Sequence, residues 1–180
     1  CRFRVHKEGP LAPDIMVIGE YPNSQDYYKK EQFGGDAGTL IRKTINEIAK
    51  VNNIELNVHY TNMVLCRTPD RQPSANEVAN CFARLTAEIE HYQPKAILIL
   101  GAATAKELLG IKTLKEARGK LTTFQGIKTV ASYNGAYILK EPLLFQTLVN
   151  DICLLLNGEE QDWSAKRVFT LVKTDEQFDA

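Results

Sequence analysis

The sequence predicts a three-layer α/β/α domain around a mainly parallel sheet. Two observations carry that prediction. Three short strand-like runs, Ile15-Met16-Val17-Ile18, Val58 to Leu65 and Ala96-Ile97-Leu98-Ile99-Leu100, alternate with segments of helical spacing, and two of the runs end directly at a glycine, Gly19 and Gly101. Parallel strands covered on both faces read as near-continuous apolar runs, and strand–helix–strand connections supply the covering helices.

The elements follow in order. Residues 1–13 are polar and hold Gly9, Pro10 and Pro13, which suits an irregular lead-in. Ile15–Ile18 forms the first strand. Residues 20–37, rich in polar, Gly and Tyr residues, read as one long functional loop. Thr39 to Val51 places Leu40, Ile41, Ile45, Ile48 and Ala49 at helical spacing. Val58 to Leu65 is the second strand, followed by a loop from Arg67 to Pro73. Ser74 stands three residues before Glu77, a capping-box pattern, so a helix runs from there to about Tyr92. Ala96–Leu100 is the third strand, and Ala102–Leu109 a short helix ending near Gly110. Leu121–Phe124 and Ile127–Ala131 form a hairpin across Gln125-Gly126. Pro142 to Leu156 is a last amphipathic helix, stopped by Asn157-Gly158.

This first unit spans residues 1–157. Residues 158–180 read as a polar linker and the start of a following domain, with Val168–Val172 as a strand and Thr174-Asp175-Glu176 as a helix cap. The chain begins with Cys1 rather than Met, as expected of a piece of something longer.

Composition narrows the function. The 180 residues are 44% hydrophobic and 24% charged, enough for one soluble domain with a sizeable core. No apolar run approaches the ~18 residues of a membrane span, and no secretory signal is visible, so a cytoplasmic protein without membrane partners is expected. The 22 basic and 22 acidic residues balance, which argues against a simple phosphate-coating module but allows a local basic cleft. Lys112, Lys115, Arg118, Lys120 and Lys140 are either such a face or a solvated surface. Cys1, Cys66, Cys81 and Cys153 do not suggest a disulfide framework. They are buried thiols or ligands of a metal or cluster, and Cys153 lies on the apolar face of the last helix.

In open α/β sheets, ligands bind beyond the carboxyl ends of the strands. The blocks richest in chemistry fall at such ends. They are Gly19-Glu20-Tyr21-Pro22, Phe33-Gly34-Gly35-Asp36-Ala37-Gly38, Tyr60-Thr61-Asn62-Met63-Val64-Leu65-Cys66-Arg67, and Asn134-Gly135-Ala136-Tyr137-Ile138-Leu139-Lys140. Read bare, Phe33 is a pocket wall or a cap over the first helix. Asn62 carries an amide donor and acceptor, or merely ends a strand.

Taken in order over roughly residues 14–156, these blocks resemble the family 4 uracil-DNA glycosylases, the iron–sulfur branch of that superfamily. The resemblance implies a domain that takes a flipped uracil from DNA and hydrolyses its N-glycosidic bond. Gly19, Tyr21 and Pro22 would line the pocket, and Glu20 would order the attacking water and stabilise the cationic sugar. Phe33 would stack on the base. Asn62 would read the N3–H and O4 edge of uracil, a pattern that cytosine reverses. Asn134 would assist departure of the base. Arg67, Arg71, Arg118, Tyr137 and Lys140 would meet DNA. Cys66 and Cys81, with Cys1, match ligands of a 4Fe-4S cluster whose fourth cysteine is missing from this chain.

The sequence departs from the family in three places. Asn23 stands where Gly is usual, and Asn134-Gly135 replaces His-Pro. The first of that pair weakens the donor to the leaving base, and the second is expected to loosen the loop. The tail resembles the start of the proofreading exonuclease domain of family A DNA polymerases, which implies a fused phage polymerase, with host cytoplasm as the location. A reading from another class is therefore a non-catalytic DNA-binding or uracil-sensing module. An unrelated nucleotide-binding enzyme has no glycine-rich phosphate loop to support it.

Overall fold

The computed structural model describes residues 4–6, 9–68 and 71–157. The strand and cap expected after residue 158 lie outside the described residues. The sheet has five strands, β1 (Ile15–Gly19), β2 (Val58–Asn62), β3 (Ala96–Leu100), β4 (Thr122–Phe124) and β5 (Ile127–Ser132), in the order β2-β1-β3-β5-β4. The first four in that order run parallel, and β4 is an antiparallel edge. The helices are α1 (Ser24–Lys29), α2 (Asp36–Val51), α3 (Ala75–Tyr92), α4 (Ala102–Leu109), α5 (Leu114–Ala117), α6 (Gly135–Lys140) and α7 (Phe145–Asn157), with a 3-10 turn at Pro142–Leu144.

The three layers follow from side-chain alternation along the strands. Ile15, Val17, Leu98 and Val130 point to one face and pack with Ile41 and Ile45 of α2 and Leu148 and Ile152 of α7. Met16, Ile18, Ile97 and Ile99 point to the other and pack with Leu85 and Ile89 of α3 and Ala105 and Leu108 of α4. Most of these side chains are fully buried, and each contributes roughly 1.5–3 kcal/mol relative to exposure. The core therefore holds the strand ends rigidly, and the loops beyond them inherit that rigidity.

Sequence signals at the element ends are realised. Ser74 caps α3 reciprocally with Glu77. The β4–β5 turn places Gln125 at φ 49° and Gly126 at φ 79°, the positive-φ pair that a tight right-twisted hairpin needs.

Several boundaries differ from expectation. The long loop at 20–37 contains α1, held by a capping box in which Asn23 and Asp26 bond each other's backbone N–H at 2.9 Å. At six residues it is too short to show a period. Helix α2 starts at Asp36, three residues before the expected start at Thr39. β2 stops at Asn62, and there the Arg84 guanidinium donates to the carbonyls of Asn62 (2.6 Å) and Met63 (2.9 Å). The last helix starts at Phe145, and the expected first turn, Pro142–Leu144, is a 3-10 turn.

Candidate active site

Order β2-β1-β3 makes the chain reverse its direction of travel across the sheet beside β1, and a crevice opens at such a switch. A cavity of about 170 Å³ sits there, lined by Gly19 at the end of β1 and Glu20 just after it, Asn62 at the end of β2, Leu100 at the end of β3, Phe33 before α2, and Asn134 and Gly135 at the start of α6. For scale, an engineered cavity of about 150 Å³ admits benzene. Tyr21 also lines it; Pro22 is buried beside it without reaching the lining.

Two glycines set how closely the walls approach. A Cβ on Gly19 would strike the amide oxygen of Asn62 and come 2.9 Å from Cζ of Phe33, so this position must lack a side chain for both to reach the cavity. A Cβ on Gly135 would strike the carbonyl of Ala37. The looseness expected at Gly135 is thus not realised: the residue is buried and seats α6 directly against α2.

Phe33 is 8% exposed and adopts φ 57°. Left-handed backbone is uncommon for a bulky residue and costs of order 1–3 kcal/mol. Gly38 makes it tolerable, because any side chain there would collide with the Phe33 backbone. The ring is backed by Tyr60, centroids 5.4 Å apart, over which the Arg42 guanidinium stacks at 4.0 Å. Both bare readings of Phe33 hold: it belongs to the core and forms a wall.

Asn62 is 4% exposed and donates its Nδ2 to Oε1 of Gln32. Gln32 itself is fully buried and donates its Nε2 to the Val5 carbonyl at 2.7 Å. Glu20 bends back so that Oε1 accepts from the Ala103 N–H, 3.1 Å, at the start of α4. Burial pushes its pKa up, and that N–H partly opposes the rise. Asp26 is buried and accepts from the backbone N–H groups of Asn23 (2.9 Å) and Gly35 (2.8 Å), which pins α1 to the loop that presents Phe33. Asn134 caps α6, its Oδ1 accepting from the Tyr137 N–H at 2.8 Å. With its oxygen committed, what the amide still offers the cavity is its NH₂.

The outer residues are less uniform. Tyr137 and Lys140 lie exposed on α6. Arg67 donates to Ser24 Oγ at 2.9 and 3.2 Å. Arg71 is held by both oxygens of Glu77 at 2.7 and 2.9 Å. Arg118 lies 3.5 Å from Asp151, with Tyr133 beneath it. Asp151 is buried, accepts from Ser132 Oγ at 2.6 Å and from the Gly119 N–H at 3.1 Å, and has its pKa raised to about 6 by burial.

The cysteines differ from expectation in one respect. Cys66 is disulfide-bonded. The N-terminal segment runs antiparallel beside it, pairing Arg4 with Cys66, and so brings distant sequence to that point. Cys81 is a half-buried free thiol, and Cys153 is buried in the core, its pKa pushed up to about 12 by burial. Cys1 lies outside the described residues. A 4Fe-4S cluster takes four thiolates, and among the described residues no group of three or more His, Cys, Asp or Glu side chains is placed to hold a metal ion. The described donors therefore do not make a cluster site. None of the helices described is long and apolar enough to cross a membrane.

Gln32, Asp26 and Arg84 were not singled out by sequence reasoning. Asn23 and Asp26 carry a readable capping pattern. Gln32 and Arg84 reach partners 21 to 30 residues away, and only Arg84 also has a local one, Glu88.

Fold and cavity together define an α/β domain with a small cavity at its topological switch point. Residues 6–153 match the uracil DNA glycosylase superfamily, and the chain belongs to it. It is 32% identical over 154 residues to a type-4 uracil-DNA glycosylase of Saccharolobus solfataricus, covering 80% of this chain and 70% of that protein. A type-4 uracil-DNA glycosylase of Pyrobaculum aerophilum is 28% identical over 161 residues, 84% of this chain and 81% of that protein. A DNA polymerase of Bacillus phage SP01 is 28% identical over 149 residues, 82% of this chain but 16% of the polymerase.

Proposed function

We propose that the domain binds uracil flipped out of DNA and hydrolyses its N-glycosidic bond. The observation that carries this reading is the convergence of Phe33, Asn62, Glu20 and Asn134, from four separate chain segments, on one cavity of base-like size. The Phe33 ring stacks on the base. Asn62 accepts from uracil N3–H through Oδ1 and donates its remaining Nδ2 proton to O4. As the bond from C1′ to N1 breaks, its electron pair leaves on the base and spreads onto O2, where the Asn134 NH₂ donates. The oxygen of water bonds to C1′, and Glu20 holds that water and takes its proton. Neither Cys66 nor Cys81 lines the cavity, and every step here uses the chain's own side chains.

Support also comes from the two relatives named for this activity. At the rim, exposed Tyr137 and Lys140 of α6 are the contacts with the DNA strand, joined by Arg67, whose guanidinium is only lightly engaged. Arg71 and Arg118 serve mainly to hold their carboxylate partners.

A second reading has its own observation. The Asn134 amide is a weaker donor than an imidazole, and the similarity to a phage polymerase fits a fused, non-catalytic uracil sensor. Incubation with a uracil-containing oligonucleotide followed by alkali separates the two. Strand breaks at uracil that vanish in Asn62→Ala support the glycosylase. Binding without breaks at any excess of protein supports the sensor.

A further inference from the structure

We propose that Gln32 is a positioning residue that locks the Asn62 amide in the uracil-reading orientation and so excludes cytosine. The proposal rests on Asn62 as the group that reads the base edge.

The lock follows from a chain of contacts with one fixed end. The Val5 carbonyl can only accept, so the Gln32 group that meets it at 2.7 Å is the NH₂. The Gln32 oxygen must then face Asn62, and the Asn62 group that meets it must also be an NH₂. Asn62 Oδ1 is left for the cavity, lying over Gly19. Cytosine needs the reverse, an acceptor toward its amino group and a donor toward its N3. Turning Asn62 over would set its oxygen against the Gln32 oxygen. Turning Gln32 as well would set oxygen against the Val5 carbonyl. Neither conflict can be relieved by solvent, because Gln32 is 0%, Val5 2% and Asn62 4% exposed.

The fixed end is itself rigid. The Val5 N–H donates to the Leu65 carbonyl at 2.9 Å, and Arg4 pairs with Cys66. The Gln32 carbonyl is held by Arg42 at 2.5 Å. Base choice in the cavity is thus referred, through two amides, to the N-terminal segment laid beside the residues after β2.

The test uses the 180-residue chain and two variants. Gln32→Met keeps most of the volume but neither hydrogen-bonding group. Gln32→Glu keeps the acceptor for Asn62. Single-turnover cleavage of matched uracil and cytosine oligonucleotides gives the discrimination ratio. We expect Gln32→Met to lower that ratio about 10- to 100-fold, the effect of unpairing one buried polar group, at every pH. Gln32→Glu, whose carboxyl oxygens accept from the Asn62 NH₂ in either protonation state, should keep a ratio near that of the wild type. An unchanged ratio in folded Gln32→Met overturns the proposal.

A readout independent of activity is the protection of the Asn62 side-chain NH₂ from solvent exchange by 15N NMR, assigned with Asn62→Asp. If the wild type cleaves neither oligonucleotide, the reading of function has failed. The lock is then judged on this signal alone: protection lost in Gln32→Met supports it, protection kept overturns it. Should Gln32→Met not fold, Gln32→Glu decides, since loss of both the protection and the ratio in that variant overturns the lock.

Discussion

Asn134 does two jobs with one amide, and a substitution series separates them. Its Oδ1 caps α6 through Tyr137 N at 2.8 Å, and its NH₂ is the proposed donor to the departing base. Asp is as good an N-cap as Asn, whereas Ala costs about 1 kcal/mol. Removing a donor aimed at a developing oxyanion costs ~2.7–4 kcal/mol, or 10²–10³ in rate. Asn134 is half-exposed, so the lower end applies. Asn134→Asp therefore keeps the fold and loses the donor, and its carboxylate also repels the growing negative charge. We expect single-turnover cleavage to fall at least about 10²-fold with the melting temperature unchanged. Asn134→Ala should lose the same activity and about 2–4 °C besides, the shift that 1 kcal/mol gives a domain of this size. Asn134→His returns a stronger donor but a poor cap, so it should cleave faster than wild type while melting lower. Wild-type cleavage by Asn134→Asp would refute the assignment outright.

Two further predictions concern pH. Because burial raises the pKa of Glu20, wild-type cleavage should fall on acidification at a pH above 4.5, the ordinary glutamate value. Glu20→Gln should be slower by about 10²-fold or more and should lack that acid limb in a pH–rate profile. Asp151 acts on stability instead. Its folded pKa of about 6 exceeds the ordinary 3.8, so the folded state binds more protons between those values. Stability from this group is full below 3.8 and is lost as pH rises through about 6, by up to about 3 kcal/mol. Urea unfolding at pH 4.5 and pH 7 should show this loss in the wild type and not in Asp151→Asn.

What could be read from the sequence divides along the range of the interactions. The strands at 15, 58 and 96, the Ser74 cap and the Gln125-Gly126 hairpin are set by neighbours within a few residues, and each is where the pattern put it. The cavity members Glu20, Phe33, Asn62 and Asn134 were found because each follows a strand end or stands in a family-like block. Helices α1, α5 and α6 have four to six residues and show no period. The role of Gly135 was misread, since its need for a missing Cβ is set by Ala37, nearly a hundred positions away. Gln32 and Arg84 were silent for the same reason. Their side chains are chosen by a carbonyl or an amide that only the folded sheet brings near.

The polar groups around the cavity share one construction. Glu20 commits an oxygen to Ala103, Asn134 commits its oxygen to Tyr137, and Asn62 commits a proton to Gln32. In each case the bond to the scaffold decides which atom remains for the ligand. A free side chain on a loop would have to be oriented at the moment of binding, at a cost in rotamer entropy for every group fixed. Here folding has already met that cost, because the caps and the relay form with the helices and strands themselves. Preorganisation of this kind favours a group that must meet charge only as it develops. Under the proposed function, Asn134 is a weaker donor than an imidazole, and its cap bond to Tyr137 sets its direction before the base arrives.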